Sequence, residues 1–422
     1  MSNIYMQKAI DIAWKYQFLT YPNPAVGATV VKDDKILSVE AHKKAGEPHA
    51  EVLALKEAYL KIYPNSDLQS LTSSSDIHNF LIKNHNGFFK DCQIYVTLEP
   101  CNHIGKTPAC AMLLEAIEIQ KVYIAIKDPN PKATGGIERL QKASIDVVVG
   151  IEENKAYELL YPFISWTKDK FCFFKLAMRE DGTIDGGYIT TKESLKLVHK
   201  LRTKIDLLLI GGNTVKTDRP TLDTRYISSP KVPDVYIYSH QKNFDTTIPL
   251  FQIPNRDVTI GDNLNILDTK KFIMIEGGYN LLDKVIDRCD LVMLFISHKL
   301  KSDSIYDITK KYNLKKVYSY FINEYDEVVF FRKKRKLLVS SCLLGEKVKY
   351  NGKDNKLSDE ILEKLSTKYQ IFSFCPEVEG GLATPRIPCE VVSSNPLKVI
   401  NKIGEDKTKE FLKGAKKNFT TM

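Results

Sequence analysis

The sequence predicts an α/β protein of two full domains and a smaller α/β extension, and three observations predict it. Short strand-like runs alternate with helices of apolar periodicity through the first 150 residues, and again from about 160 to 333. The chain's 422 residues, 43% hydrophobic and 27% charged, suffice for two or three cores of ordinary globular composition. A basic run, Arg332-Lys333-Lys334-Arg335-Lys336, separates two apolar strands and reads as a solvated linker. The expected domains are residues 1–155, 156–333 and 334–422.

In the first region, Met6 to Phe18 has helical spacing. Tyr21-Pro22-Asn23-Pro24-Ala25-Val26-Gly27 is a rigid turn into a strand, Ala28 to Lys32, and Lys35 to Ala41 is the next. His49 to Leu60 reads as a helix, Gln93 to Leu98 as a strand, Ala109 to Ile119 as a helix and Lys121 to Ile126 as a strand. Between Tyr59 and Asp91 the rhythm fails. Ser66 to Asp76 is rich in Ser and Asp, so this segment reads as a surface insertion with His78 and His85 exposed to solvent.

The chemistry-bearing residues fall at the ends of these elements. His49, Cys101 and Cys110 offer one imidazole and two thiolates, enough to hold zinc on three sides and leave the fourth open. Glu51, two residues after His49, stands beside that open position at a helix N-terminus that favours its negative charge. His-x-Glu followed by Pro-Cys is the zinc deaminase signature, in which the glutamate shuttles a proton and is not a ligand. Here the second cysteine comes nine positions after the first instead of three. A structural zinc, or buried cysteines with a surface histidine, is the plainer alternative.

Together the Pro22–Gly27 turn, Gly46-Glu47-Pro48-His49-Ala50-Glu51 and the Cys101–Cys110 loop resemble the bifunctional riboflavin biosynthesis family, a pyrimidine deaminase fused to a reductase. The resemblance implies a three-layer fold like that of cytidine deaminases. It also implies that Asn23, His42, His103 and Lys106 meet the pyrimidine, ribose or phosphate of the substrate. Ala109 stands where the family usually has proline, and the insertion before Asp91 lengthens the segment between histidine and cysteine.

In the second region, Phe171 to Ala177 is an aromatic strand interrupted by Lys175, and Thr190-Thr191-Lys192-Glu193 is a capping box before a helix with His199 and Arg202. Ile205 to Ile210 ends in Gly211-Gly212-Asn213-Thr214, and Phe272 to Ile275 in Glu276-Gly277-Gly278. A strand running into glycines at a helix start lets backbone amides approach phosphate, although such glycines are as often turns. These blocks, with Asp218-Arg219-Pro220 and Leu222 to Arg225, resemble the reductase half of the same family, whose fold is that of dihydrofolate reductase. That resemblance implies NADPH on Gly211, Gly212, Thr214, Gly277 and Gly278. It implies a ribose phosphate on Arg202 and Arg225, and Lys175, Asp218 and Glu276 near the opened sugar. Arg179-Glu180 departs from the family, and the segment from Arg225 to Glu276 is short. A degenerate reductase kept as a scaffold is the competing reading.

The third region carries Cys342-Leu343-Leu344-Gly345 and Phe374-Cys375-Pro376-Glu377, which resemble a family related to thiouracil desulfidases whose cysteines hold an iron–sulfur cluster. Cys342 and Cys375 match two ligands, the third is absent, and Cys389 is too close to Cys375 to match it, though it could substitute. A truncated passenger domain is expected.

Composition leaves the partner open, since a net charge of +9 suits a nucleic acid or a phosphorylated small molecule. The reductase motifs favour the small molecule over a nucleic-acid base deaminase. A zinc-stabilised binding module has no use for Glu51. No apolar run nears the ~20 residues that span a bilayer, and no basic-then-apolar leader opens the chain. The eight scattered cysteines fit metal-binding thiolates in a reducing compartment. A cytoplasmic homo-oligomer is the expected state.

Overall fold

The computed structural model describes residues 2–103, 105, 107–131, 133–227, 229–300 and 306–421. The chain forms two compact units, Met1–Tyr306 with Val317–Phe331, and Asp307–Lys316 with Arg332–Met422.

The first unit holds two sheets. The first, in the order β2-β1-β3-β4-β5, comprises β1 (Gly27–Lys32), β2 (Lys35–Ala41), β3 (Cys92–Leu98), β4 (Lys121–Ile126) and β5 (Asp146–Val149). β1 runs antiparallel to β2 and β3, while β3, β4 and β5 are parallel. Helices α1 (Ser2–Trp14), α2 (Ala50–Ile62), α3 (Ser74–Asn84), α4 (Cys110–Ala116), α5 (Gly136–Lys142) and α6 (Glu153–Lys168) surround it. β1 is buried almost throughout, as a strand covered by helices must be. Gly27 has to be glycine, because a Cβ there would stand 1.9 Å from the Ala9 carbonyl oxygen.

The expected surface insertion is instead part of this core. Ser73 caps α3 by accepting from Asp76 N–H, and the helix buries Ile77, His78 and Leu81. Leu68 and Phe89, on either side of it, are wholly buried. His78 is 2% exposed, which corrects the expectation of a solvated ring. Serine and aspartate mark the helix cap and its outer face, and the apolar side sits at i and i+4.

The second sheet has the order β12-β13-β11-β6-β10-β7-β8-β9. Its strands are β6 (Phe171–Arg179), β7 (Leu207–Gly211), β8 (Asp234–Tyr238), β9 (Val258–Gly261), β10 (Phe272–Glu276), β11 (Leu291–Ser297), β12 (Leu314–Phe321) and β13 (Asp326–Lys333). The run from β11 to β9 is parallel and β13 is antiparallel to β11. The short segment from Arg225 to Glu276 still supplies three of these strands, β8, β9 and β10. α7 (Lys192–Arg202), α8 (Gly212–Asp218) and α9 (Tyr279–Val285) complete this part. The expected capping box at Thr190 does not form. Thr191 is the N-cap, and Asp326 accepts from Thr191 N–H, Thr191 Oγ1 and Ser194 Oγ. A carboxylate 135 residues away thus closes the helix start.

The two sheets share one apolar core. Phe18, with its backbone in the left-handed region (φ 71°), stacks on Phe173 at 4.5 Å and meets Phe171, Phe272 and Phe330. Such a backbone costs roughly 1–3 kcal/mol, which burial of the ring offsets. Trp14 stacks on Tyr318 at 4.9 Å.

The second unit contains α10 (Ile308–Tyr312), the parallel pair β14 (Arg335–Ser340) and β15 (Tyr369–Phe374), and the hairpin β16 (Cys389–Ser394) and β17 (Leu397–Asn401). α11 (Asp359–Lys368), α12 (Pro376–Gly380) and α13 (Thr408–Thr421) complete it. α12 and α13 approach backbone to backbone, since a Cβ on Gly414 would lie 1.9 Å from the Pro376 carbonyl oxygen. Cys342 and Cys375 follow the ends of β14 and β15, and Cys375 lies 4.0 Å from Arg386 Nη2. Among the described residues, these cysteines do not gather with Cys389 into a group that could hold a metal.

Candidate active sites

A cavity of about 470 Å³ opens at the first sheet, lined among others by Asn23, His42, His49, Glu51, Cys101 and His103. β3 delivers Pro100-Cys101 at its end, His49 is the N-cap of α2, and α4 starts at Cys110. His49 Nδ1 lies 3.6 Å from Cys101 Sγ and 3.3 Å from Cys110 Sγ, and the three donor atoms fall within 4.8 Å of one another. Zinc bond lengths at a tetrahedral angle place nitrogen and sulfur about 3.5 Å apart. The donor set fits zinc in spacing and in kind. Among the described residues it is the one such group.

Neutral hydrogen bonds hold the surrounding polar groups. Pro48 O accepts from His42 Nδ1 at 3.1 Å, so His42 Nε2 is free to accept from Asn23 Nδ2, also at 3.1 Å. That fixes the Asn23 amide. Burial lowers the pKa of His42 to about 4, which keeps the ring neutral. Thr107 Oγ1 stands 3.4 Å from His49 Nε2 and leaves Nδ1 toward the thiols. Glu51 is 4% exposed, and burial raises its carboxyl to about 6 against the pull of His49. Glu99 Oε1 accepts from Gly135, Gly136 and Ile137 N–H at 3.0, 3.0 and 3.3 Å, and its Oε2 accepts from Asp128 N–H at 3.2 Å. This pins the Asp128-Pro129-Asn130-Pro131 wall to the end of β3. His103 is exposed at the rim, Lys106 lies outside the described residues, and Phe163 of α6 closes one side. Thr107, Glu99 and Phe163 escaped the sequence reading. For Glu99, its place before Pro100-Cys101 was the available signal.

In the second sheet, β10 lies between β6 and β7, so the chain order reverses there, and ligand clefts form outside the carboxyl ends of strands at such points. Lys175 on β6 is paired in register with Glu276 on β10, and Nζ stands 4.0 Å from Oε2. Arg202 grips both oxygens of Glu276 at 3.0 and 3.1 Å. Burial pushes Lys175 down and Glu276 pulls it back up. For Glu276 burial works upward, but Arg202 and Lys175 hold the carboxylate below its ordinary range. Arg202 is thus buried and committed to Glu276, not presented to a ligand. The exposed cation is Arg225, paired with Asp223 at 2.8 Å. Asp223 also faces His199, 4.0 Å away, and sequence reasoning passed over it. Asp218 ends α8 in an exposed position and is not brought to this group.

A neighbouring cleft of about 590 Å³ is lined by Gly211, Gly212, Thr214, Gly278, Ser239, His240 and Lys284, among others. Gly277 adjoins it and packs on Leu281, which a Cβ would meet at 2.7 Å. A Cβ on Gly211 would meet only ordinary contacts, so the room above it belongs to the cleft. Open backbone with hydroxyl and cationic groups around it suits the phosphates of a dinucleotide. Arg179 Nη1 donates to Thr183 Oγ1 and Asp185 O, and Glu180 accepts from His298. These departures order the loop whose Ile184 borders the cleft.

Residues 2–126 match a family described as the cytidine and deoxycytidylate deaminase zinc-binding region. Residues 175–293 match the RibD C-terminal domain, and 337–422 match 2-thiouracil desulfurase. The chain is 38% identical over 237 residues to the riboflavin biosynthesis protein RibD of Aquifex aeolicus, covering 54% of this chain and 59% of that one. It is 32% identical over 285 residues to RibD of Chlamydia pneumoniae, covering 62% and 69%. The chain spans somewhat over half the length of several curated relatives that it matches. A Thermotoga maritima structure, a diaminohydroxyphosphoribosylaminopyrimidine deaminase/5-amino-6-(5-phosphoribosylamino)uracil reductase, is 27% identical. It has a TM-score of 0.51, with 79% of this chain and 98% of that chain covered. The first sheet is therefore of the cytidine-deaminase-like kind and the second of the kind found in the RibD C-terminal domain. No described helix is long and apolar enough to cross a membrane.

Proposed function

The chain belongs to the RibD family of riboflavin biosynthesis proteins, and from that premise we propose that it carries out two successive steps of riboflavin synthesis. The first is hydrolytic deamination of 2,5-diamino-6-(5-phosphoribosylamino)pyrimidin-4-one. The second is NADPH-dependent reduction of the ribosyl to the ribityl side chain. We assign residues 1–155 to the first activity and 156–333 to the second, with 334–422 as a separate passenger domain.

The observation that carries this reading is one cavity holding a three-donor metal group, a buried carboxylate and a fixed amide. His49, Cys101 and Cys110 would hold zinc, whose Lewis acidity makes hydroxide available near neutral pH. Glu51 takes the proton released by the attacking water and gives it to the ring nitrogen, then takes the proton of the added hydroxyl as the carbonyl forms and passes it to the amino group, which leaves as ammonia. Asn23, oriented by His42, reads the pyrimidine edge or a ribose hydroxyl, and by resemblance to the family His103 and Lys106 meet the phosphate or ribose.

In the second site the cleft glycines with Thr214 receive the cofactor phosphates, and bound NADPH supplies a hydride to the ribose-derived carbon. Lys175, held by Glu276, meets the oxygen and nitrogen of the opening sugar. Arg202 positions Glu276, and Arg225 takes the ribose phosphate. The ion-paired group and the open cleft favour a working reductase over a degenerate scaffold. We also take the protein to act in the cytoplasm as a homo-oligomer, which light scattering of the purified protein tests. The decisive experiment supplies the phosphorylated diaminopyrimidine and follows ammonia release and NADPH consumption. Ammonia without NADPH loss leaves the scaffold reading standing, and neither signal overturns the assignment.

A further inference from the structure

The segment between the metal histidine and the first metal cysteine carries an imidazole that no step above employs. His78 lies on α3, 2% exposed, with Nε2 3.1 Å from Ala109 O. A carbonyl only accepts, so Nε2 bears the proton and donates. Ala109 is the N-cap of α4, and the next residue is the metal ligand Cys110. The Ala109 carbonyl also takes the Leu113 N–H at 3.4 Å, and its methyl side chain offers the helix no cap. Its φ of −67° is the value a proline ring would impose, yet alanine leaves that torsion free.

The imidazole therefore supplies a constraint that the local sequence lacks. It is itself held from outside the loop. α3 packs on α2, which begins next to His49, and on α4, which begins with Cys110. Ile77 and Leu81 are wholly buried beside it. We propose that His78 is a positioning residue of the metal centre: by gripping the Ala109 carbonyl it fixes the turn that presents Cys110. The inserted helix is then an outer brace of the thiolate pair. This rests on the reading that His49, Cys101 and Cys110 hold zinc.

Partners in the outer shell of a metal typically change affinity about 10- to 100-fold. Here the bond reaches the backbone one residue from the ligand, so about tenfold weaker zinc binding is expected for His78→Ala. The test measures zinc dissociation of the full chain by chelator competition, together with the visible absorption of the cobalt(II)-loaded protein, which reports thiolate geometry. The proposal expects His78→Ala to weaken zinc and shift the cobalt bands. His78→Gln, which can still donate, should recover most of the loss, and so should Ala109→Pro in the His78→Ala background. A lower melting temperature with unchanged zinc affinity and cobalt spectrum overturns it, because that is all a merely structural histidine would do. If His78→Ala does not fold, the double variant with Ala109→Pro decides. Recovery of a folded, zinc-binding chain supports the brace, and failure to bind zinc overturns it. Wild type that holds no zinc sinks the metal reading and this inference together. Wild type that holds zinc no better than His78→Ala sinks this inference alone.

Discussion

The two sites orient their reactive groups by opposite means. At the first sheet the holding bonds are mostly neutral: Pro48 O to His42, His42 to Asn23, Thr107 to His49. At the second, full charges hold one another, with Glu276 between Lys175 and Arg202, and Asp223 on Arg225. Loss of one member of a neutral clamp leaves at most an unsatisfied polar group, a cost of about 1–3 kcal/mol. A buried ion group is different. Each member is tolerable only while the others remain, since an unpaired buried charge costs far more than a paired one. One-residue changes should therefore read out as chemistry in the first site and as stability as well in the second.

The largest expected effect is on Glu51→Gln. Ammonia release should fall about 10²- to 10⁴-fold, the usual worth of a positioned proton carrier, while zinc content and melting temperature stay near wild type. Turnover within a fewfold of wild type would remove Glu51 from the mechanism. Lys175→Ala should abolish NADPH oxidation and leave ammonia release within a fewfold. Loss of both would mean that the two sites are coupled more closely than their separate residues suggest.

Arg202→Met tests the contrast directly. It strands Glu276 with one distant partner and should cost about 3–5 kcal/mol, visible as an earlier urea unfolding midpoint. Removing both charges, as Arg202→Met with Glu276→Gln, should cost less than Arg202→Met alone. If the double variant is the worse of the two, the pair is not what sets the penalty. The smallest effect concerns His199, whose pKa burial lowers to about 4, below the ordinary 6.5. The unfolded chain binds this proton more readily than the folded one between those values. Stability is therefore full above pH 6.5 and falls as pH drops toward 4. His199→Gln should flatten that part of the stability–pH curve, and an unchanged slope would remove His199 from it.

What could be read from the sequence divides along the same line. The three-donor group was legible because each member sits at the start or end of a local element, His49 before α2, Cys101 after β3 and Cys110 opening α4. Strands β2 and β4 matched their expected limits at both ends. Long-range partners were not legible. The acceptor that closes the start of α7 is Asp326, and nothing near Thr190 announces it. Asp223 stood inside a quoted motif, but only folding reveals that it faces His199 and Arg225. The helix around His78 was hidden by composition. Its serines and aspartates suggested a solvated loop, although Ile77 and Leu81 carried a helical spacing. Residues joined by the backbone declare themselves, and residues joined through space need the fold.

Phe18 sets a timetable for the nascent chain. Its ring belongs among Phe171, Phe173, Phe272 and Phe330, all of which are translated long after it. At ribosomal rates of about 5–20 residues per second, the first of these partners emerges roughly 8–30 s behind it. For that interval a finished first sheet carries a bare aromatic knob, beside a Trp14 that waits still longer for Tyr318. Gene fission near residue 155 would make the wait permanent for both fragments. The amino-terminal piece would keep the knob, and the other piece would keep the empty socket, each an invitation to aggregate. Keeping the two sheets on one polypeptide holds knob and socket within reach of each other until both are made.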